Sequence, residues 1–429
     1  MSQEFVTVLP SAGRLMTSLR DIGYDVASAV ADLVDNAIDA NATRVEIDLV
    51  ADGPNSWLRV ADNGLGMSAH RLDEAMRYGS DSDYQPRSLG HFGLGLKTAS
   101  LSQCRRLTVA SRGTRGGQVA VRRWDLDIVL RRDSWDLERL TARDTDPRLI
   151  SPLGEQETGT VVLWERMDRV LPRKPTSGLT ARVLGRVEDE LRSHLAMVFH
   201  RFLDGEAYAH RRSLELLVNG VKVSPWDPYA RYEPHTRALP SQRIAYQDAD
   251  GTEVAIDVQP YVLPAQHLFS SPESHRIAGG PHRWNRHQGL YIYRRERLIQ
   301  AGGWNRLRTL DEHAKLARIA IDLPVGQEER FAVDVAKMRV SIPEDLRPEL
   351  RTLVAATVAI AQERYREHDD ASDRSEVATP GPEAISISRD WPAIMAAVDE
   401  VLGDDVELRD RLLIRLANAD PADVATLRG

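Results

Sequence analysis

Asp32, Asn36 and Asp39 stand at i, i+4 and i+7 in the run Asp32-Leu33-Val34-Asp35-Asn36-Ala37-Ile38-Asp39, so a helix through them carries all three on one face. A carboxylate beside a carboxamide can position a water molecule and complete a Mg2+ shell whose other oxygens come from phosphates. Further along, Asp62-Asn63-Gly64-Leu65-Gly66-Met67 follows an alternating run, a strand leading into a turn where two glycines let a ligand come close. An ionised carboxylate only accepts hydrogen bonds, so Asp62 suits a donor such as the exocyclic amine of adenine. In Gly90-His91-Phe92-Gly93-Leu94-Gly95-Leu96-Lys97, the glycines precede a helix beginning near Leu94. Backbone amides and the positive end of that helix can face phosphates, and Lys97 in its first turn adds a mobile positive charge. The spacing is not that of a Walker loop.

These residues need helices and strands to hold them. Leu19, Ile22, Val26, Val30, Leu33 and Ala37 recur every three or four positions, which predicts an amphipathic helix from Ser18 to Asp39 with Asp32, Asn36 and Asp39 opposite the core side. Alternation predicts strands at Arg44–Val50 and Trp57–Ala61, with others at Arg106–Arg112, Gln118–Asp125 and Thr160–Glu165. Residues Asp81–Leu89, polar and containing Pro86, read as a loop, and Ala181–Phe202 as a long helix. Beyond it come strand-like runs at Leu214–Lys222, with an Asn219-Gly220 hairpin turn, at Glu253–Val262 and at Gly289–Arg294, then a helix from Arg347 to His368. The whole is an α+β chain. Its expected divisions are 1–200, 201–368, an acidic Ser/Thr/Pro-rich linker at 369–385, and a helical segment at 386–429.

The order and gaps of the three motifs, with Gly159-Thr160 as a fourth, resemble the GHKL ATPase superfamily of DNA gyrase B, the ninety-kilodalton heat-shock chaperones, histidine kinases, MutL and MORC proteins. The glycine string is most similar to the MORC branch. The resemblance implies a Bergerat-type ATP-binding α/β sandwich, a transducer-like α+β domain and a small helical C-terminal piece. It implies ATP and Mg2+ as cofactors, Asn36 as the magnesium ligand, Asp62 as the adenine-recognition residue supported by Thr160 through a shared water, and Tyr78–Leu89 as a lid. Gly289–Gln300 looks like a MORC transducer strand. Lys337, in Asp334-Val335-Ala336-Lys337-Met338-Arg339, is the candidate for the basic residue that reaches the γ-phosphate. Where most relatives carry a glutamate general base, this chain has Asp32, one methylene shorter. Asp32 then works through a shifted helix or a second water, or Asp35 contributes, or hydrolysis is slow or absent; slow hydrolysis is the expectation.

The clamp of the relatives implies a homodimer formed on ATP binding. Phe5, Val6, Val8 and Leu9 either cross to the partner subunit or form a loose tail. The formal net charge of -8 argues against a chain that coats nucleic acid over its whole surface. Paired arginines at 105–106, 122–123, 131–132, 211–212 and 294–295 with Arg297 leave room for a local DNA-binding patch, although ion-paired or solvated arginines account for them as well. Only Lys97, Lys174, Lys222, Lys315 and Lys337 are lysines among 56 Lys+Arg. The single cysteine, Cys104, reads as a buried structural thiol and fits a reducing cytoplasm. No stretch is long and apolar enough for a membrane helix, and the N-terminus does not read as a secretion signal. A Mg2+-dependent ATPase acting on DNA or within a DNA-related complex is the main expectation. The alternative is a non-hydrolysing nucleotide-sensing scaffold or chaperone-like module that recruits a protein partner through its C-terminal segment.

Overall fold

The helix that carries Asp32, Asn36 and Asp39 is set off from the chain before it by one glycine and one aspartate. In the computed structural model, which describes residues 10–78, 95–141, 144–172, 174, 176–207, 213–248, 250–281, 283–333 and 340–377, the single helix expected over 18–39 is two. Helix α1 (Ala12–Leu19) tightens into a short turn, and Gly23 takes φ 86°, a left-handed conformation that ends helices readily only at glycine. Asp25 then begins α2 (Val26–Asp39), its carboxylate accepting the Ser28 amide at 2.6 Å. Hydrophobic periodicity runs through the break because both helices face the same core; the stop signal lies in Gly23 and Asp25.

Eight strands form the first sheet in the order β5-β4-β3-β6-β2-β1-β7-β8. They are β1 (Arg44–Val50), β2 (Trp57–Asp62), β3 (Arg106–Arg112), β4 (Ala120–Asp125), β5 (Glu138–Leu140), β6 (Gly159–Glu165), β7 (Glu215–Val218) and β8 (Val221–Lys222). All neighbours are antiparallel except β1 and β7. Between them run α3 (Ala69–Met76), α4 (Gly95–Gln103), α5 (Leu126–Arg132), α6 (Pro147–Glu155), α7 (Ser177–Val198) and α8 (His200–Leu203). One core gathers α1, α2, α4 and α7 against one face of this sheet, with Val45, Ile47, Leu58 and Trp164 buried beneath them. Leu149 and Leu153 of α6 cover Ala110, Val121, Val161 and Leu163 on the other. This is an α+β sandwich, and Cys104 is a buried thiol within it. The sheet does not stop at residue 200. Asn219 and Gly220, with φ of 48° and 73°, make the expected hairpin turn, and the parallel pairing of β7 with β1 ties residues 215–222 to the first sheet because Leu216 and Val218 complete its core.

The second sheet has the order β10-β11-β14-β12-β13, with β9 beside β11. Its strands are β9 (Arg237–Ala238), β10 (Gln242–Gln247), β11 (Glu253–Val262), β12 (Gly289–Arg294), β13 (Arg297–Ala301) and β14 (Ala317–Leu323), with α9 (Pro272–Ala278), α10 (Trp284–His287) and α11 (Arg347–Val377). Ile256, Val258, Leu290, Ile292, Ile319 and Ile321 pack beneath Leu350, Val354 and Val358 of α11. Both sheets lie in one compact unit, residues 1–369, and residues 370–429 form another. The helix expected over 347–368 runs on to Val377, so residues 369–377 of the expected linker 369–385 are helical; residues 378–385, the segment 386–429 and Phe5 to Leu9 lie outside the described residues. No described helix is long and apolar enough to cross a membrane.

Replacing the cap, Asp25→Ala, is expected to lower stability by about 1 kcal/mol and to shift the urea midpoint downward. An unchanged midpoint would show that packing alone sets the start of α2.

Candidate functional site

Helix α2 is buried around most of its circumference, yet it carries four polar side chains in its last two turns. Asp32 is 4% exposed and Asp35 fully buried, while Asn36 is exposed and Asp39 half-buried. The expected face therefore opens from a buried carboxylate at Asp32 to solvent at Asn36 and Asp39. Tyr24, from the loop before α2, donates its hydroxyl to Asp32 Oδ2 at 2.9 Å in the interior. Helix α4 packs on α2, and its first residue makes the contact: a Cβ on Gly95 would stand 3.5 Å from Asp32 Oδ2. The start of α4 thus faces the carboxylate with bare backbone. Asp35 points elsewhere, and Arg297 of β13 donates Nε–H to it at 2.9 Å. The possibility that Asp35 supplies the base meets a residue with no exposed surface that already holds a guanidinium.

Asp62 is the last residue of β2 and pairs in register with Thr160 of β6. Its carboxylate accepts the Gly64 amide at 2.9 Å and the Thr160 amide. Thr160 Oγ1 lies 2.9 Å from Ser111 Oγ, and Ser111 in turn accepts the Met67 amide at 2.8 Å and donates to the Gly159 carbonyl at 3.0 Å. Gly66 has φ 63°, and a Cβ there would overlap the Arg112 carbonyl, so the turn after Asp62 needs glycine at that place. Burial pushes the Asp62 carboxyl up to about 6, against the pull of its two amide donors.

Lys97 was expected to be mobile, and here it is held. Its side chain is buried, and Nζ donates to the carbonyls of Ala75 at 3.0 Å and Arg77 at 2.7 Å. These carbonyls end α3, where a cation is favoured by orphan acceptors and by the helix dipole. Burial lowers the Lys97 ammonium to about 8, so it keeps its charge at neutral pH. Leu96 and Met67 pack against the first core. Gly90, His91, Phe92, Gly93, Leu94, the lid residues 79–89 and Lys337 lie outside the described residues.

The structure therefore packs Gly95, at the start of α4, against Asp32 of α2, the helix that also carries Asn36 and Asp39, and gathers Asp62, Gly64, Gly66, Met67 and Thr160 where β2 pairs with β6. Sequence reasoning missed Tyr24, Ser111 and Arg297, each of which reaches its partner from a separate element. Many of the clustered arginines are ion-paired: Arg105 with Asp127, Arg106 with Asp125, Arg122 with Asp73 and Arg294 with Glu328. Arg131 and Arg132 on α5 are exposed, and Arg211 and Arg212 lie outside the described residues.

Comparison with known proteins finds likeness over the same part of the chain. The family described as histidine kinase-, DNA gyrase B-, and HSP90-like ATPase matches residues 24–160, which span Tyr24, α2, Asp62, α4 and Thr160. The DNA mismatch repair protein MutL of Rhizobium leguminosarum bv. trifolii is 43% identical over 91 residues, 20% of this chain and 15% of the relative. The MutL of Rhizobium rhizogenes is 42% identical over 103 residues, 22% of this chain and 16% of the relative. That of Sinorhizobium medicae is 43% identical over 93 residues. The match takes in about 15% of the length of these curated relatives.

Asp62 links folding to pH. Between pH 3.8 and about 6 the folded chain keeps a proton at Asp62 that the unfolded chain has released, so stability falls as pH rises through that window and levels off above it. The cost at neutral pH is on the order of 3 kcal/mol. Asp62→Asn should therefore unfold at a higher temperature than the wild type at pH 7.5, with the difference vanishing near pH 4. A lower melting temperature for the variant at pH 7.5 would contradict the burial cost.

Proposed function

Since residues 24–160 belong to the histidine kinase-, DNA gyrase B- and HSP90-like ATPase family, we propose that this chain binds Mg2+-ATP along α2 and hydrolyses it slowly, as an ATP-gated dimerising clamp that works on DNA or within a DNA-related complex. The observation that carries the reading is the contact of Gly95 with Asp32 on two packed helices, Asn36 standing one turn further along α2, with Asp62 and Thr160 on paired strands. Asp62 accepts the adenine amine, and Thr160, tied to Ser111, supports it through a shared water. The turn with Gly64 and Gly66 lets the base come close to backbone.

The residues fit a magnesium ion held mainly by phosphates. Asn36 offers one exposed side-chain carbonyl, and no group of three or more His, Cys, Asp or Glu among the described residues could hold a metal by itself. That is the pattern of an ion that keeps waters and substrate oxygens as ligands. Held by Asn36, such an ion would supply charge neutralisation to the phosphates. Asp32 takes the proton from the attacking water, with its carboxylate oriented by the Tyr24 hydroxyl. A general base must lie within about 2.6 to 3.2 Å of the group it deprotonates, directly or through one water. The aspartate's shorter reach is the reason to expect slow turnover. The stretch from Gly90 to Gly95 wraps the phosphates, Tyr78–Leu89 closes over them, and Lys337 reaches the γ-phosphate, while Lys97 braces the end of α3.

A clamp on DNA draws on the MutL and MORC likenesses, and MORC-like describes the proposed two-part core. Among those clusters Arg131 and Arg132 on α5 are the exposed described pair, with Arg132 3.8 Å from Asp136. The alternative, a nucleotide-sensing scaffold that does not hydrolyse, is favoured by Asp32 itself, which is short, buried and hydrogen-bonded to Tyr24.

Calorimetry with a non-hydrolysable ATP analogue and Mg2+ tests the binding. Wild type should take up one nucleotide per chain, Asn36→Ala should bind at least tenfold more weakly, and affinity should drop up to tenfold per pH unit below pH 6 as Asp62 gains its proton; no uptake by the wild type would end the reading. Phosphate release separates enzyme from scaffold. Slow release by wild type, abolished in Asp32→Asn, is expected of the enzyme, whereas activity that arises only in Asp32→Glu is the result a scaffold would give. Doubling of the mass in solution on adding the analogue is expected of the clamp.

A further inference from the structure

Arg297 lies 262 residues from Asp35 in the chain, on the other sheet, and its guanidinium ends inside the helix that carries the proposed base and magnesium ligand. Its side chain is 4% exposed and that of Asp35 is fully buried, with Nε 2.9 Å from Oδ1 and 2.8 Å from Oδ2. The guanidinium also lies over the Phe199 ring, 5.8 Å from its centre. Asp35 is three residues after Asp32 and one before Asn36, so whatever fixes Asp35 fixes the rotation of the last two turns of α2. A buried ion pair gains little over an apolar pair of the same size, but loss of one partner leaves an uncompensated charge in the interior. The pair therefore acts less as a source of stability than as a register between α2 and β13.

The rest of the β12–β13 hairpin is fastened to the same region. Its two-residue turn is Arg295-Glu296, with φ of 50° and 67°, a conformation that asparagine and glycine adopt far more readily. Glu296 accepts Arg201 at 2.8 Å, and Arg201 also binds Asp322 at 2.6 Å. Tyr293 Oη lies 2.9 Å from His200 Nε2, and Arg294 is paired with Glu328 at 2.6 Å. Asp39, at the end of α2, acts electrostatically on Arg295. One hairpin of the second sheet thus meets α2 and α8 at charged contacts on both sides of its turn.

We propose that Arg297 is a positioning residue of the ATP site: through Asp35 it sets the orientation in which Asp32 and Asn36 face the nucleotide, and through the same bond it passes a change at α2 to the β12–β13 hairpin. This rests on the ATP-binding reading above. A ligand that pulls Asn36 toward it rotates or shifts α2, and Asp35 cannot move without either carrying Arg297 along or leaving a buried charge unpaired. The hairpin is then the first part of the second sheet to respond.

The test compares the wild type, Arg297→Lys, Arg297→Gln and the double variant Asp35→Asn with Arg297→Gln, in which neither buried charge remains. Each is examined for uptake of a non-hydrolysable ATP analogue with Mg2+ by calorimetry, for phosphate release, and for hydrogen exchange of amides 291–300 with and without the analogue. Wild type should show altered exchange in the hairpin on binding. The double variant should fold, bind the analogue within about threefold of wild type, lose at least tenfold in kcat with little change in KM, and show no exchange response in the hairpin. Arg297→Lys should recover part of both, and Arg297→Gln, which strands Asp35, should be the least stable of the set. A wild type that binds the analogue without any response in the hairpin, or a double variant that keeps the response and full kcat, overturns the positioning role alone. A wild type that binds no nucleotide removes the underlying reading as well.

Discussion

Helix α2 has to satisfy two opposed demands, and the surrounding structure follows from how it does so. Eleven of its fourteen residues are buried, as the central helix of a sandwich must be, yet two of the eleven are the carboxylates of Asp32 and Asp35. A bare carboxylate in such a place would cost far more than the helix gains by packing. Each is therefore met by a donor brought from elsewhere: the Tyr24 hydroxyl for Asp32 and the Arg297 guanidinium for Asp35. The break at Gly23 delivers the first, since a helix continuous from Ser18 would not loop Tyr24 back toward Asp32. The second requires the other sheet. The folding of the first sandwich and the placement of the second sheet are thus joined at one helix by charge neutralisation as well as by apolar packing.

Asp62 shows the opposite solution to the same demand. Its two donors are backbone amides, from Gly64 and Thr160, and they do not fully offset burial. A carboxylate left short of donors is poised for an external one, as the proposed adenine contact would provide. The surrounding bonds then make sense as a scaffold for that vacancy of donors: Ser111 fixes Thr160 and the Met67 amide, and Thr158 fixes the Gly64 carbonyl at 2.7 Å. A protein selected only for stability would place asparagine or an apolar residue at the end of β2. The energetic disadvantage of Asp62 is thus itself an argument for a ligand, of the kind that strongly perturbed groups at binding sites provide in general.

What could be read from the chain beforehand divides along a physical line. The i, i+4, i+7 face of α2 and the alternation of β1, β2 and β6 are local, and local periodicity predicts them. So does the hairpin turn at Asn219-Gly220, where two residues suited to positive φ stand between strands. The continuation of the first sheet to β7 and β8 was hidden because parallel pairing with β1 depends on a partner far away in sequence. Lys97 was read as a mobile cation because its neighbours are glycines; the carbonyls that hold it belong to α3, across a segment with no local signature of contact. Arg297 sat within a cluster of arginines that looked alike in sequence. Only burial and the identity of the partner distinguish it from Arg105 or Arg106, which are themselves part-exposed where they pair with Asp127 and Asp125.

The division of charge between the two sheets bears on why the hairpin turn is built as it is. A turn of Asn-Gly type would close β12 and β13 with less strain than Arg295-Glu296, but it would carry neither Glu296, which holds Arg201, nor Arg295, which lies within reach of the field of Asp39. Two non-glycine residues at positive φ persist only where their surroundings over-determine them, and here the surroundings are ion pairs on both sides of the turn. The strain and the pairs therefore explain each other: the contacts hold the turn in an unfavourable conformation, and that conformation lets Arg294, Glu296 and Arg297 pair with Glu328, Arg201 and Asp35 at once. An unstrained, longer loop could offer the same charges, but it would let them move independently. A short, strained turn makes them move together, which is the property a connection between α2 and a second sheet requires.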